Sequence, residues 1–329
     1  MIEKQSHTVR RTIREMKRIK GSVMLLLAAF FWGTTFAAQS SATDNIQTFT
    51  FNAARSFVGA AFLGIIILIR KKRRGKDPVK TTGDHGNLPM GKSVAGAGAM
   101  CGLVLFAAMS FQQSGISAYP DGVAASGRSG FLTATYVVMV AICARFQGKK
   151  LHGIVYAAVA VCLGGMYLLC MSGGIDSIYF GDVLGLVCAV FFSMHIMVVD
   201  HFSRFESIKL SCMQFFTCGI LSAAAMFLFE QPDLSMIVKA AFPILYAGIL
   251  SSGIAYTLQM EGQKYAEPAV AAVIMSLESV FAVLGGWIVL QERLSVRELW
   301  GCGLVFAAVI MAQIPEIRRS RFSGTGQVS

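Results

Sequence analysis

The feature that most constrains this chain is a succession of ten apolar stretches, each about 18 to 25 residues long and separated by short polar connections. At 1.5 Å per residue, a helix of that length crosses about 30 Å of hydrocarbon, a medium in which every backbone amide must be satisfied within its own helix. The stretches fall at about 22–42, 48–69, 93–115, 119–143, 151–172, 180–201, 210–229, 241–262, 268–290 and 297–314. They predict an all-α integral membrane protein. With 55% hydrophobic residues among 329, the chain is too apolar for a soluble protein.

The net charge of +11 would suggest nucleic acid if the basic side chains shared one folded surface. They lie instead in alternate connections. With the N-terminus in the cytoplasm, only Lys239, Arg293 and Arg297 of the 29 Lys and Arg face the opposite side, while Arg55 and Arg128 fall within spans. That imbalance predicts a multi-pass cell-membrane protein with both termini cytoplasmic, and it removes nucleic acid as a partner. The basic segment 1–20 precedes a span longer than a signal-peptide core, which reads as an uncleaved first helix. The longest connection, Arg70 to Lys92, combines KKRRGK with Pro78, Gly83, Gly86 and Pro89, and reads as a polar topology anchor.

The eight cysteines, Cys101, Cys162, Cys188 and Cys302 among them, sit inside apolar segments without zinc-site or disulfide spacing, so they read as packing residues. No ATP-binding GxxxxGK[ST] loop and no metal-ligand spacing occurs. The expectation is a non-enzyme with no cofactor, no metal and no catalytic residues. A membrane enzyme acting on lipid would need clustered acids and histidines; the nearest group, Asp200, His201 and Glu206, fits no metal-site template.

The chain also resembles itself. FQQSGISAYPDGVAA aligns with LQMEGQKYAEPAVAA, so that Gln112 meets Gln259, Gly115 meets Gly262, and Val123, Ala124 and Ala125 meet Val270, Ala271 and Ala272. Near the start of each half, Gly21 pairs with Gly181, Leu26 with Leu186 and Phe31 with Phe191. Two units of five helices must enter the membrane in opposite senses. That is the inverted-repeat logic of many secondary transporters, with a solute site between the halves near the midplane.

Four stretches in order, LLLAAFFWGTTFAAQ, GRSGFLTATYVVMV, GDVLGLVCAVFFSMHIMVVDHFS and SLESVFAVLGGWIVLQERLS, resemble the EamA branch of the drug/metabolite transporter superfamily. The resemblance runs from about Ser22 to Met311. It implies ten transmembrane helices as two inverted five-helix EamA repeats, working by alternating access on a small organic metabolite such as an amino acid, usually outward. The corresponding division is a basic segment 1–20, a first repeat 21–172, a second repeat 173–315 and a cytoplasmic tail 316–329. The family commonly has Pro after the glutamate of the ninth helix, whereas Ser279 follows Glu278 here, which leaves a kink there without its usual cause.

Charges inside the membrane mark candidate functional residues, because each costs several kcal/mol unless it faces a partner or a cavity. Glu278 lies mid-way along the ninth span and Arg128 about 13 Å into the fourth, its repeat-related helix. The expectation is that both face a central cavity and pair, directly or through water, as a gate or a solute-binding pair. Arg55 is either a snorkelling anchor or a solute contact, and His195 a proton relay or a helix-to-helix hydrogen-bond partner. Trp32, Tyr256 and Gln259 are candidates for a cavity wall, whereas Tyr119 reads as an interface anchor. Gly98 with Gly102, Gly181 with Gly185, and Gly122, Ser126, Gly127 and Gly130 read as close-packing positions. Small-molecule substrate, lipid bilayer and coupling protons are the expected partners, with a monomer or homodimer both compatible. Uptake or exchange by the same fold, and a membrane sensor, are the competing readings.

Overall fold

A computed structural model describes residues 2–43, 45–74, 90–120, 125–146, 148, 151–170, 179–290 and 296–322. Among these every regular element is a helix: α1 (Ile2–Ala42), α2 (Thr48–Arg74), α3 (Met90–Ser117), α4 (Ala125–Ala134), α5 (Tyr136–Phe146), α6 (Gly153–Cys170) and α7 (Phe180–His201). There follow α8 (Ser207–Phe229), α9 (Leu234–Lys239), α10 (Ala241–Tyr246), a π-helical segment (Ala247–Ala255), α11 (Tyr256–Gln263), α12 (Pro268–Met275), α13 (Glu278–Leu290) and α14 (Val296–Phe322). Eight spans are long and apolar enough to cross a bilayer, and the shorter apolar helices Gly153–Leu168 and Leu299–Ala312 complete ten. The basic N-terminal segment continues the first helix rather than preceding it, and the last helix runs on to Phe322. Most of the Arg70–Lys92 connection, together with Gly122 and Arg293, lies outside the described residues.

The spans pack across the two halves of the chain in matching pairs. α1 packs on the eighth and ninth spans, and α7 on the third and fourth; α2 packs on α8 and α6 on α14. These are the contacts that an inverted repeat generates when each span meets the partner's equivalents. Two crossings carry the symmetry in the residues that align in the sequence. A Cβ on Gly21 would lie 3.1 Å from the Gly262 carbonyl oxygen, and one on Gly181 would lie 2.7 Å from that of Gly115. Each glycine pair lets two backbones touch where any side chain would hold them apart. Gly98 and Gly102 do the same against Met213 and Thr217 of α8.

The ninth span is the axis of the bundle. All eight residues of α12 are buried, as expected of a helix apolar on every face, and Pro268 starts it where a missing N–H costs nothing. The large apolar side chains left exposed, such as Leu68, Phe227 and Ile310, belong to the lipid-facing sides of outer spans.

Two spans are broken, and the breaks meet. In the fourth span Thr135 tightens the ladder: its N–H and its hydroxyl both bond the Leu132 carbonyl, at 3.3 and 2.5 Å. In the ninth the ladder tightens at Leu277, whose N–H reaches Ile274 at 3.3 Å, while the Ser276 and Ser279 hydroxyls bond the carbonyls of Val273 and Ser276. The helix therefore bends without a proline, through serine side chains that compete for backbone oxygens. Because α4 packs on α13 and α5 on α12, the two interruptions sit at one level.

Candidate functional site

At that level the halves enclose a cavity of about 30 Å³, room for roughly two waters. The start of α5 supplies Tyr136 and the start of α13 supplies Glu278, so each broken span presents its first inner residue. Glu278 stands in the first turn of α13, at the end of the helix dipole that favours a negative charge. Glu278 is 4% exposed, and its Oε1 has no hydrogen-bond partner. The Tyr136 hydroxyl is close enough to act on it, yet completes no hydrogen bond.

On the opposite wall α2 brings in Arg55, 2% exposed, with Nε and Nη2 unpartnered and its guanidinium 5.2 Å from the Phe51 ring centre. It does not snorkel: it points inward. A buried cation and a buried carboxylate thus line one cavity, each with unused hydrogen-bonding capacity. Three amides join them. Gln39 donates to Gln113 at 3.0 Å and to Gln112 at 3.4 Å, and Gln259 lines the wall with a free Oε1. Trp32 and Tyr256 form an edge-to-face aromatic pair, with ring centres 4.8 Å apart, on the side between α1 and α11.

The eighth span shapes this wall by a nine-residue π-helical segment, AGILSSGIA. Its small residues lie flat on α2: a Cβ on Gly248 would sit 2.6 Å from the Val58 side chain, and Gly59 meets Ser252 as closely. The wider helix turns Ser251 into the cavity and presents Tyr256 at its end.

Arg128 takes another place. The fourth span is described from Ala125, and residues 118–120 are not helical, so Arg128 stands near the start of that span rather than at mid-depth. There Nε and Nη2 donate to Asp182 of α7 at 2.6 and 2.7 Å, both side chains about nine-tenths buried. The Tyr119 hydroxyl and the Tyr179 N–H also donate to Asp182, at 2.8 and 2.9 Å. Arg128 is absent from the cavity wall that holds Glu278, so the expected Arg128–Glu278 pair is replaced by a cross-repeat ion pair at the face away from the termini. His195 does not line the cavity either; it lies behind Tyr256, with ring centres 5.8 Å apart.

Of the sequence candidates, the cavity gathers Trp32, Arg55, Tyr256, Gln259 and Glu278. Sequence reasoning missed Gln39, Thr133, Tyr136 and Ser251 on its wall, and Asp182 at the face. Gln112 carried a usable signal, since it aligns with Gln259 across the repeat.

The profile of the EamA-like transporter family matches residues 19–171 and 179–313, one match to each half of the chain. The chain belongs to the EamA-like transporter family. This places it in the drug/metabolite transporter superfamily. An uncharacterized transporter of Archaeoglobus fulgidus is 30% identical over 91% of this EamA chain and 87% of its own. The uncharacterized transporter YoaV of Bacillus subtilis is 21% identical over 92% of this chain and 99% of its own. A protein crystal structure at 20% identity shares the fold, with a TM-score of 0.68 over 90% of this chain and 98% of that one. The EamA protein is therefore a multi-pass membrane transporter.

Proposed function

We propose that this EamA protein is a secondary transporter that exports a small organic metabolite, an amino acid or a related compound, by alternating access. The observation that carries the reading is the pairing in one cavity of two buried, incompletely bonded charges, Arg55 and Glu278. A solute carboxylate on Arg55 and a solute ammonium on Glu278 would satisfy groups that otherwise cost about 1–3 kcal/mol each. Gln39, Gln112 and Gln259 offer the neutral donors and acceptors that orient such a ligand, and Trp32 and Tyr256 its apolar wall.

A cavity of about 30 Å³ must widen to admit a metabolite. The broken fourth and ninth spans are the elements able to yield, and the Arg128–Asp182 pair is the contact that holds α4 to α7 at one mouth. The repeats take the ranges 21–172 and 173–315 in this reading, and the charge imbalance supports a cell-membrane protein with both termini on the cytoplasmic side. Export follows the habit of the family. Uptake or exchange shares every feature of the cavity.

Counterflow in reconstituted vesicles tests the proposal. A labelled amino-acid mixture should exchange through the wild type, and Arg55→Gln should cut that exchange by about tenfold or more, the loss expected for a charge-assisted contact. If Arg55→Gln and Glu278→Gln both exchange like the wild type, the cavity is not the solute site.

A further inference from the structure

A second group of buried polar atoms lies beside the cavity, toward the face that carries the chain termini. His195 of α7 is fully buried and its Nε2 lies 2.9 Å from Gln214 Oε1 of α8. An amide oxygen only accepts, so Nε2 carries the hydrogen and Nδ1 is left as a bare acceptor; it has no partner. Gln214 Nε2 and Ser211 Oγ on the same face of α8 are unpartnered as well, and both residues are 0% exposed. From α11, Gln263 donates to the carbonyl of Ile196, next to His195, and keeps a free Oε1. One turn nearer the cavity, Gln259 does too.

Two donors and three acceptors, all buried, are therefore without partners among the described residues, on neighbouring turns of α7, α8 and α11 between the cavity and the terminal face. Packing alone does not explain it, since a buried polar group left bare costs more than the ordering of a water that bridges several such groups at once. A mixed set of donors and acceptors is what water, with two of each, can bridge. Tyr256 and Gln214 lie against the imidazole, and among the described residues no ion pair involves it. The charges that flank this group are Arg55 and Glu278 at its cavity end and Glu261 with Lys264 at the face.

We infer that His195, Gln214, Ser211, Gln263 and Gln259 hold a file of water that carries protons between the terminal face and Glu278. A proton from the file bonds to Nδ1, giving an imidazolium that Gln214 holds through Nε2–H. The same Nδ1 proton then passes to the next water, and at the end of the file to Glu278 Oε1; no other bond changes. The inference rests on the transport reading for its functional role and on hydration alone for its structural part.

The test uses vesicles loaded with a pH-sensitive dye and a labelled mixture of the twenty common amino acids. Counterflow at equal pH needs no net protonation, and His195→Asn, which keeps a hydrogen-bonding side chain, should leave it unchanged. Net flux driven by a pH step should fall by at least about tenfold in that variant, the scale of a lost proton-transfer group. Undiminished pH-driven flux in His195→Asn, or none in a wild type that does show counterflow, overturns the inference. Hydroxyl-radical footprinting of the purified protein reads the hydration without any solute: His195 should be labelled in the wild type and protected in Gln214→Leu. Absence of labelling overturns the file even if transport is shown, whereas labelling without amino-acid counterflow would fault the transport reading and leave the file standing.

Discussion

Gly33→Ala is the substitution that most directly tests the geometry around Glu278. Gly33 lies where α1 crosses α13, and an added Cβ would stand 2.4 Å from Phe281 Cβ, 2.6 Å from the Glu278 carbonyl oxygen and 2.8 Å from the Ala282 nitrogen. Ordinary contacts begin near 3.4 Å, and two of the three neighbours are backbone, so the helices must part by about 1 Å. Overpacking of that kind costs about 1–3 kcal/mol, against which alanine's better helix propensity returns at most about 1. Gly303→Ala is the control, because nothing lies within 4 Å of a Cβ there and the same propensity gain is unopposed. Thermal unfolding in detergent should show Gly33→Ala destabilised by about 1–3 kcal/mol relative to Gly303→Ala. Counterflow should fall by about tenfold or more in Gly33→Ala, since a binding group displaced by 1 Å loses its geometry. Equal stability and equal transport in the two variants would refute the close α1–α13 crossing.

Arg128→Gln removes two charge-assisted bonds to Asp182 and should cost about 2 kcal/mol of stability, with part of it returned in the Arg128→Gln/Asp182→Asn double variant; additive losses in a thermal double-mutant cycle would show the pair uncoupled. Glu230 accepts from the N–H groups of Phe49 and Thr50 at 2.6 and 2.7 Å and so caps α2 from the end of α8. Glu230→Ala should lower stability by about 1–2 kcal/mol, Glu230→Gln by less, both read from unfolding in detergent. Gln112→Ala and Gln259→Ala, at aligned positions on the cavity wall, should each raise the half-saturating solute concentration about fivefold, for roughly 1 kcal/mol per lost hydrogen bond. Counterflow titrations unchanged in both would exclude the amides from the solute site.

The number of spans was legible because hydrocarbon thickness fixes the length of an apolar run; the sequence aligned Gly21 with Gly181 and Gly115 with Gly262 as repeat equivalents, but that each meets the other pair's member across a crossing came only from the fold. Glu278 marked the middle of the bundle through the cost of burying charge, whereas Arg55 stood between a snorkelling anchor and a solute contact until the fold placed it on the same cavity. The partner of Arg128 was not legible, because its depth depends on where the fourth span starts, and the polar stretch before Ala125 reads as apolar enough to count as membrane. A six-residue error there moves a side chain by about 9 Å, from the midplane to the face, and so exchanges one carboxylate for another. The π-helical segment left no trace either: AGILSSGIA has the composition of an ordinary span, and its widening is imposed by the contact of Gly248, Ser252 and Gly253 with α2.

The ninth span is interrupted at serines and not at a proline. A proline ring forbids the missing hydrogen bond permanently, since the nitrogen has no hydrogen to give. The Leu277 N–H is present and is directed three residues back instead of four, and the Ser276 hydroxyl occupies the Val273 oxygen so released. No ring forbids the Leu277 N–H from returning to the fourth residue back, so the break beside Glu278 is one that a change of backbone angles could close, as a proline break is not.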